Sequence, residues 1–113
     1  MLPSKNKIPR NIFLEALKGS RVFSSLFLKM RIKNAPNLIK KFSFITPGTV
    51  SLKATERNLL RRRGYMIIRN VLKKTVGSFY IVFFFKKGSE KLSFRDLFSA
   101  VVLLLRKGGI IKE

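Results

Sequence analysis

Two periodicities alternate along the chain, and the places where one gives way to the other mark its elements. Residues 1–8 are polar and basic and read as extended. Pro9 suits a first helical turn; Ile12, Phe13, Ala16 and Leu17 follow at helical spacing, and Gly19 is the stop. From Ser20 to Ile32 the period falls to two. Leu26, Leu28, Met30 and Ile32 alternate with Phe27, Lys29 and Arg31, as in a half-buried strand. Asn34-Ala-Pro-Asn37 is a turn signal, and Phe42-Ser-Phe-Ile-Thr46 alternates again. This pattern predicts that 26–32 and 40–46 pair as an antiparallel hairpin with a longish loop. Pro47-Gly48 ends the second strand, and Thr49–Leu52 fits either its continuation or a loop.

A long helix is predicted from about Ala54 to about Lys74. Leu60, Ile67, Ile68 and Val71 form its core stripe. At roughly 100° per residue, Asn58, Arg61, Arg62, Tyr65 and Arg69 fall within about 100° of arc beside that stripe. Gly64, which costs ~1 kcal/mol relative to Ala inside a helix, lies on the core stripe, where close approach to a sheet accounts for it. Phe79–Phe85 is apolar on both faces, the mark of an interior strand. Residues 86–91 read as a solvated loop. Ser93-x-x-Asp96 resembles a capping box opening a helix at Phe94, whose apolar face runs through Leu97, Phe98, Val101, Val102, Leu104 and Leu105 to a Gly108-Gly109 stop. The predicted order is helix, two or three strands, basic helix, strand, helix: one α+β domain over residues 1–113, without internal repeats.

Charge changes this picture from a fold into a function class. Lys and Arg number 25 against 5 Asp and Glu, a formal net charge of +20. Self-repulsion of that size opposes compaction and implies an anionic partner, nucleic acid first and an anionic membrane surface second. Between Lys53 and Lys74 there are eight basic residues and one acid, whereas a merely solvated helix face mixes signs to gain i,i+4 pairs. Phe13, Phe27 and Tyr65 are the aromatics whose pattern leaves a base-stacking role open.

The same inventory argues against chemistry by the protein alone. There is no His and no Cys, and only Glu15, Glu56, Glu90, Asp96 and Glu113 supply carboxylates. The commonest general base, thiolate metal ligands and the nucleophile–base pairings of hydrolases are therefore missing. No catalytic residue and no protein metal ligand is expected, nor is a small-molecule substrate. The longest apolar runs are too short to cross a bilayer as a helix, which takes about 20 residues, so the expectation is a cytoplasmic protein with no membrane partner.

Particular residues then carry a family resemblance. Met1-Leu-Pro-x-Lys-Asn-Lys-Ile with Arg10 and Phe13 resembles the opening of the protein component of bacterial ribonuclease P. Lys41-Phe-Ser-Phe, followed by Val50-Ser-x-Lys-Ala-Thr-Glu-Arg-Asn-x-Leu-Arg-Arg-Arg-Gly-Tyr65, is similar to that family's last hairpin strand and signature arginine–asparagine helix. Residues 79–86 and 93–110 are similar to its final strand and helix. The resemblance implies a two-layer αβββαβα sandwich with a left-handed crossover, as in a ribosomal protein. It also implies binding to the catalytic RNA and to the leader of precursor tRNA, with cleavage done by the RNA and Mg2+ held through the RNA subunit. Carried over by position, Lys53, Arg57, Asn58, Arg61 and Arg62 would contact the RNA subunit, with Tyr65 and Arg69 on the same face. Phe13, Leu17 and Met30 would line the leader cleft. Leu59 replaces the signature's second arginine, Leu17 a second aromatic, and Pro47, Gly48, Thr49 and Leu52 a serine and lysines. The competing expectation is a basic ribosomal or RNA-chaperone protein on a similar fold, with no part in cleavage.

Overall fold

The computed structural model describes residues 2–51 and 53–112. Met1 of the opening motif and Leu52 among the departures lie outside the described residues. Its elements are α1 (Phe13–Leu17), β1 (Arg21–Ser24), β2 (Leu28–Asn34), β3 (Lys40–Ile45), α2 (Ala54–Val71), β4 (Phe79–Phe85) and α3 (Phe94–Lys107). β4 is the hub of the sheet, as an apolar strand with no polar face should be. It runs antiparallel to β2, with Met30 opposite Phe83, and parallel to β3, with Phe44 opposite Phe83. The strand order is β1-β2-β4-β3.

This order corrects the hairpin expected between 26–32 and 40–46. Alternation gives a strand its two faces and says nothing of its neighbour, and here β4 inserts between the two. The Asn34–Asn37 turn instead carries the chain over the end of β4, where Ala35 N–H donates to the Ser78 carbonyl and Phe79 N–H to the Ile39 carbonyl. The strand expected over 20–32 is also broken in two. β1 and β2 pair with Ser24 opposite Lys29, and the reversal between them leaves Leu26 77% exposed. Lys86 holds that turn by donating to Ser24 Oγ and the Ser25 carbonyl, at 2.6 and 2.7 Å.

Register sorts the sheet into two faces. Leu28, Met30, Ile32, Phe42, Phe44, Phe79, Ile81, Phe83 and Phe85 join Leu60, Ile67, Ile68 and Val71 of α2 and Leu97, Val101, Leu104 and Leu105 of α3 in one core. Gly64 shows why α2 needs a glycine there: a Cβ would stand 2.6 Å from two ring carbons of Phe44. The opposite parity, Lys29, Arg31, Lys33, Lys41, Ser43, Ile45, Tyr80, Val82 and Phe84, forms the second face. Short α1 lies there against β2 and β4, and Val82 on that face is fully buried.

Two loops are more ordered than their polarity predicts. Ser4–Asn6 is a 3-10 turn rather than extended chain, and beyond it Lys7 bridges Phe42 while Ile8 N–H donates to the Phe42 carbonyl. The segment thereby covers the outer edge of β3, whose backbone groups need partners. Residues 86–91 are not fully solvated either, because Ser89 is completely buried in a turn packed on α2. The cap of α3 is as predicted, with Asp96 N–H donating to Ser93 Oγ at 3.1 Å and Gly109 at φ 75 past its end.

Candidate nucleic-acid interface

The exposed side of α2 begins at Lys53, its N-cap, and includes Asn58, Arg62 and Arg69, with Arg57, Arg61 and Tyr65 half-buried beside them. Ser51 organises the first turn. Its carbonyl accepts from Arg57 Nη1 at 2.6 Å, and its hydroxyl donates to the Glu56 carboxylate. One turn on, the Arg61 guanidinium donates to Asn58 Oδ1. Among the described residues no α2 arginine forms an ion pair; the pair Lys18–Glu15, at 3.7 Å, belongs to α1. Guanidinium donors left this way are available for bidentate contacts to phosphate.

Tyr65 is fixed from three sides. Its ring meets Phe44 edge-on at 5.1 Å, its hydroxyl accepts from Phe44 N–H at 3.3 Å, and Lys7 Nζ sits 4.9 Å from the ring centroid. Beside it a cleft of about 410 Å³ is lined by Arg62, Tyr65, Met66, Arg69 and Asn70.

A second surface lies on the other side of β3. A groove of about 520 Å³ is lined by Ile8, Arg10, Phe13, Leu14, Ser43 and Ile45, between α1 and the second sheet face. That face carries Lys29, with Nζ 4.9 Å from the Phe84 ring centroid, and Lys33, which donates to the Glu15 carbonyl at 2.8 Å. The two surfaces adjoin because β3 alternates between them. Phe44 supports Tyr65, while Ser43 and Ile45 floor the groove. Lys7 and Ile8 repeat the division along the strand's outer edge. Among the described residues no three His, Cys, Asp or Glu side chains cluster to hold a metal. No helix among them is long and apolar enough to cross a membrane.

The family model for ribonuclease P matches residues 3–108. The chain belongs to the family of the bacterial ribonuclease P protein. No curated protein matches the sequence. The solved structures it resembles include a Staphylococcus aureus ribonuclease P protein mutant with defective mRNA degradation activity, at TM-score 0.86 and 10% identity over 96% of this chain and 92% of that one. The S. aureus ribonuclease P protein itself matches at TM-score 0.83 and 11% identity, over 95% and 98%. The Thermotoga maritima ribonuclease P protein matches at TM-score 0.78 and 20% identity, over 88% and 96%. At such identities the structures speak for the shared fold, and the family match identifies the chain as a protein subunit of an endoribonuclease ribonucleoprotein active in tRNA processing.

Within that family frame, the sequence-derived residues fall into separate places. Lys53, Arg57, Asn58, Arg61, Arg62, Tyr65 and Arg69 all lie on α2 or at its N-cap, and Phe13 lines the groove. Leu17, one helical turn after Phe13, is half-buried and is not among the groove-lining residues. Met30 is a correction. It is fully buried in the core between sheet and helices, so no RNA can reach it. The parity of β2 was the available signal: Lys29, Arg31 and Lys33 hold the solvent side, which sends Met30 inward. Sequence reasoning missed three lining residues: Met66 and Asn70 stand on α2 one turn after Arg62 and Met66 respectively, where helical spacing was the available signal, whereas the place of Arg10 depends on how separate segments meet.

Proposed function

We propose that this chain is the RNA-binding subunit of ribonuclease P, holding the catalytic RNA with α2 and presenting the α1–sheet groove to the 5′ leader of precursor tRNA. The observation that carries the reading is the α2 face, whose arginines lack carboxylate partners among the described residues. Arg57, Asn58, Arg61 and Arg62 are placed there to bind phosphate and fix the register of the RNA. The adjoining groove offers Phe13 for stacking and Arg10 for the backbone of a single strand. In this reading cleavage and its Mg2+ belong to the RNA, in the cytoplasm, and the protein contributes binding and charge neutralisation.

The test is reconstitution of the full chain with the catalytic RNA of the same organism, followed by precursor-tRNA cleavage at low magnesium. Stimulation is expected. Its absence, with the protein sedimenting instead on ribosomal particles, would favour the ribosomal or chaperone role. Arg61→Ala with Arg62→Ala should weaken RNA binding and reduce the salt slope by about two, one for each lost phosphate contact. An unchanged slope would remove this face from the contact.

A further inference from the structure

We infer that the cleft lined by Arg62, Tyr65, Met66, Arg69 and Asn70 takes one unpaired base of the RNA held by α2, so that the helix contacts a base as well as phosphates. The inference rests on the proposed contact between α2 and RNA. Its basis is the chemistry of the lining. Phosphate binding needs charge, and Arg62 and Arg69 supply it at the rim, but it has no use for Met66, which is 44% exposed in the middle of an arginine face. A stacked base would cover that apolar thioether and take it out of water.

Tyr65 provides the aromatic wall, held before any ligand arrives by the Phe44 N–H bond and the Phe44 ring, so that little rotamer freedom is lost on stacking. Asn70 supplies an amide that both donates and accepts, the pairing that a Watson–Crick edge requires. The volume, about 410 Å³, falls within the range of small-ligand sites, roughly 300–1,000 Å³. A base inside an A-form helix cannot enter such a cleft, which selects a bulge, loop or junction nucleotide. A protein partner is disfavoured by two arginines at the rim of a chain carrying +20.

The experiment compares full-length wild type, Met66→Ala with Asn70→Ala, and Arg61→Ala with Arg62→Ala, each binding the catalytic RNA across a potassium chloride series. Met66 and Asn70 are exposed, and Asn70→Asp alone provides a second variant that preserves side-chain shape. The Met66/Asn70 variant should lose about tenfold in affinity, the scale of one stacked base, with an unchanged salt slope. The Arg61/Arg62 variant should lose slope as well. Dimethyl sulfate probing should show one unpaired base of the RNA protected by wild type and reactive with the Met66/Asn70 variant and with Asn70→Asp. Wild-type affinity, or an unchanged protection pattern, in the Met66/Asn70 variant would overturn the inference and leave the α2 contact standing. Failure of the Arg61/Arg62 variant to weaken binding would overturn both.

Discussion

Replacing Gly64 by alanine tests whether the fit of α2 to the sheet outweighs the intrinsic preference of a helix. In a helix interior Ala is favoured over Gly by about 1 kcal/mol, so local propensity predicts a more stable protein. The added Cβ would stand 2.6 Å from Cδ1 and Cε1 of Phe44 and 2.9 Å from Cγ, about 0.8 Å short of ordinary contact. The ring has nowhere to retreat. It is stacked on Phe83 at 4.8 Å and Phe85 at 5.6 Å, meets Tyr65 at 5.1 Å, and is 2% exposed. Overpacking of this kind costs typically 1–3 kcal/mol, and immobile neighbours place Gly64→Ala near the upper end. The net expectation is a loss of about 2 kcal/mol, or about 8 °C in Tm for a domain of this size.

Thermal and urea unfolding measure it directly. A variant as stable as wild type, or more so, would refute the argument. Shrinking the obstruction gives an internal control: Gly64→Ala combined with Phe44→Leu should be more stable than the sum of the two single changes. Gly108→Ala provides a contrast, since its Cβ would meet Ile32 Cδ1 at 2.5 Å and Met30 Cε at 3.1 Å, the far ends of flexible side chains. It should be the milder substitution.

Two further outcomes follow from other parts of the molecule. Ser93→Ala removes the acceptor for Asp96 N–H and should cost about 1 kcal/mol in urea unfolding, with Ser93→Asp restoring most of it; no change would deny the cap its role. Phe13→Ala should reduce affinity for precursor tRNA about fivefold, the low end of one stacked base, while leaving binding to leaderless tRNA unchanged. An equal loss for both RNAs would take Phe13 out of the leader groove.

The order of elements was legible because each carried its own period. Phe79–Phe85 announced an interior strand by having no polar face, and Gly64 announced close packing by standing on an apolar stripe. Which strands would be neighbours was not legible, since the same alternation serves β2 whether it lies beside β3 or beside β4. The α2 face was readable as charge within one helix. The groove was not, because Ile8 and Arg10, Phe13 and Leu14, and Ser43 and Ile45 come from three segments. Met30 illustrates the limit of resemblance by position: a residue near a family's functional position lands in the core when the strand's charged residues claim the other face.

The central position of β4 also bears on how the chain comes to be folded. Synthesis delivers β1, β2, β3 and α2 first, and no pairing joins β2 directly to β3. Until residues 79–85 leave the ribosome, the sheet exists as a short hairpin and a separate strand, with apolar faces unburied and edges unpaired. Closure then requires β4 to enter between them, making a parallel pairing with β3 across the intervening helix, the kind of non-local contact that slows folding. Translation of the last third of the gene is thus coupled to the collapse of the whole domain. A chain stalled before Phe79 would present a basic, sticky intermediate to the nucleic acids around it, an outcome that rapid completion avoids.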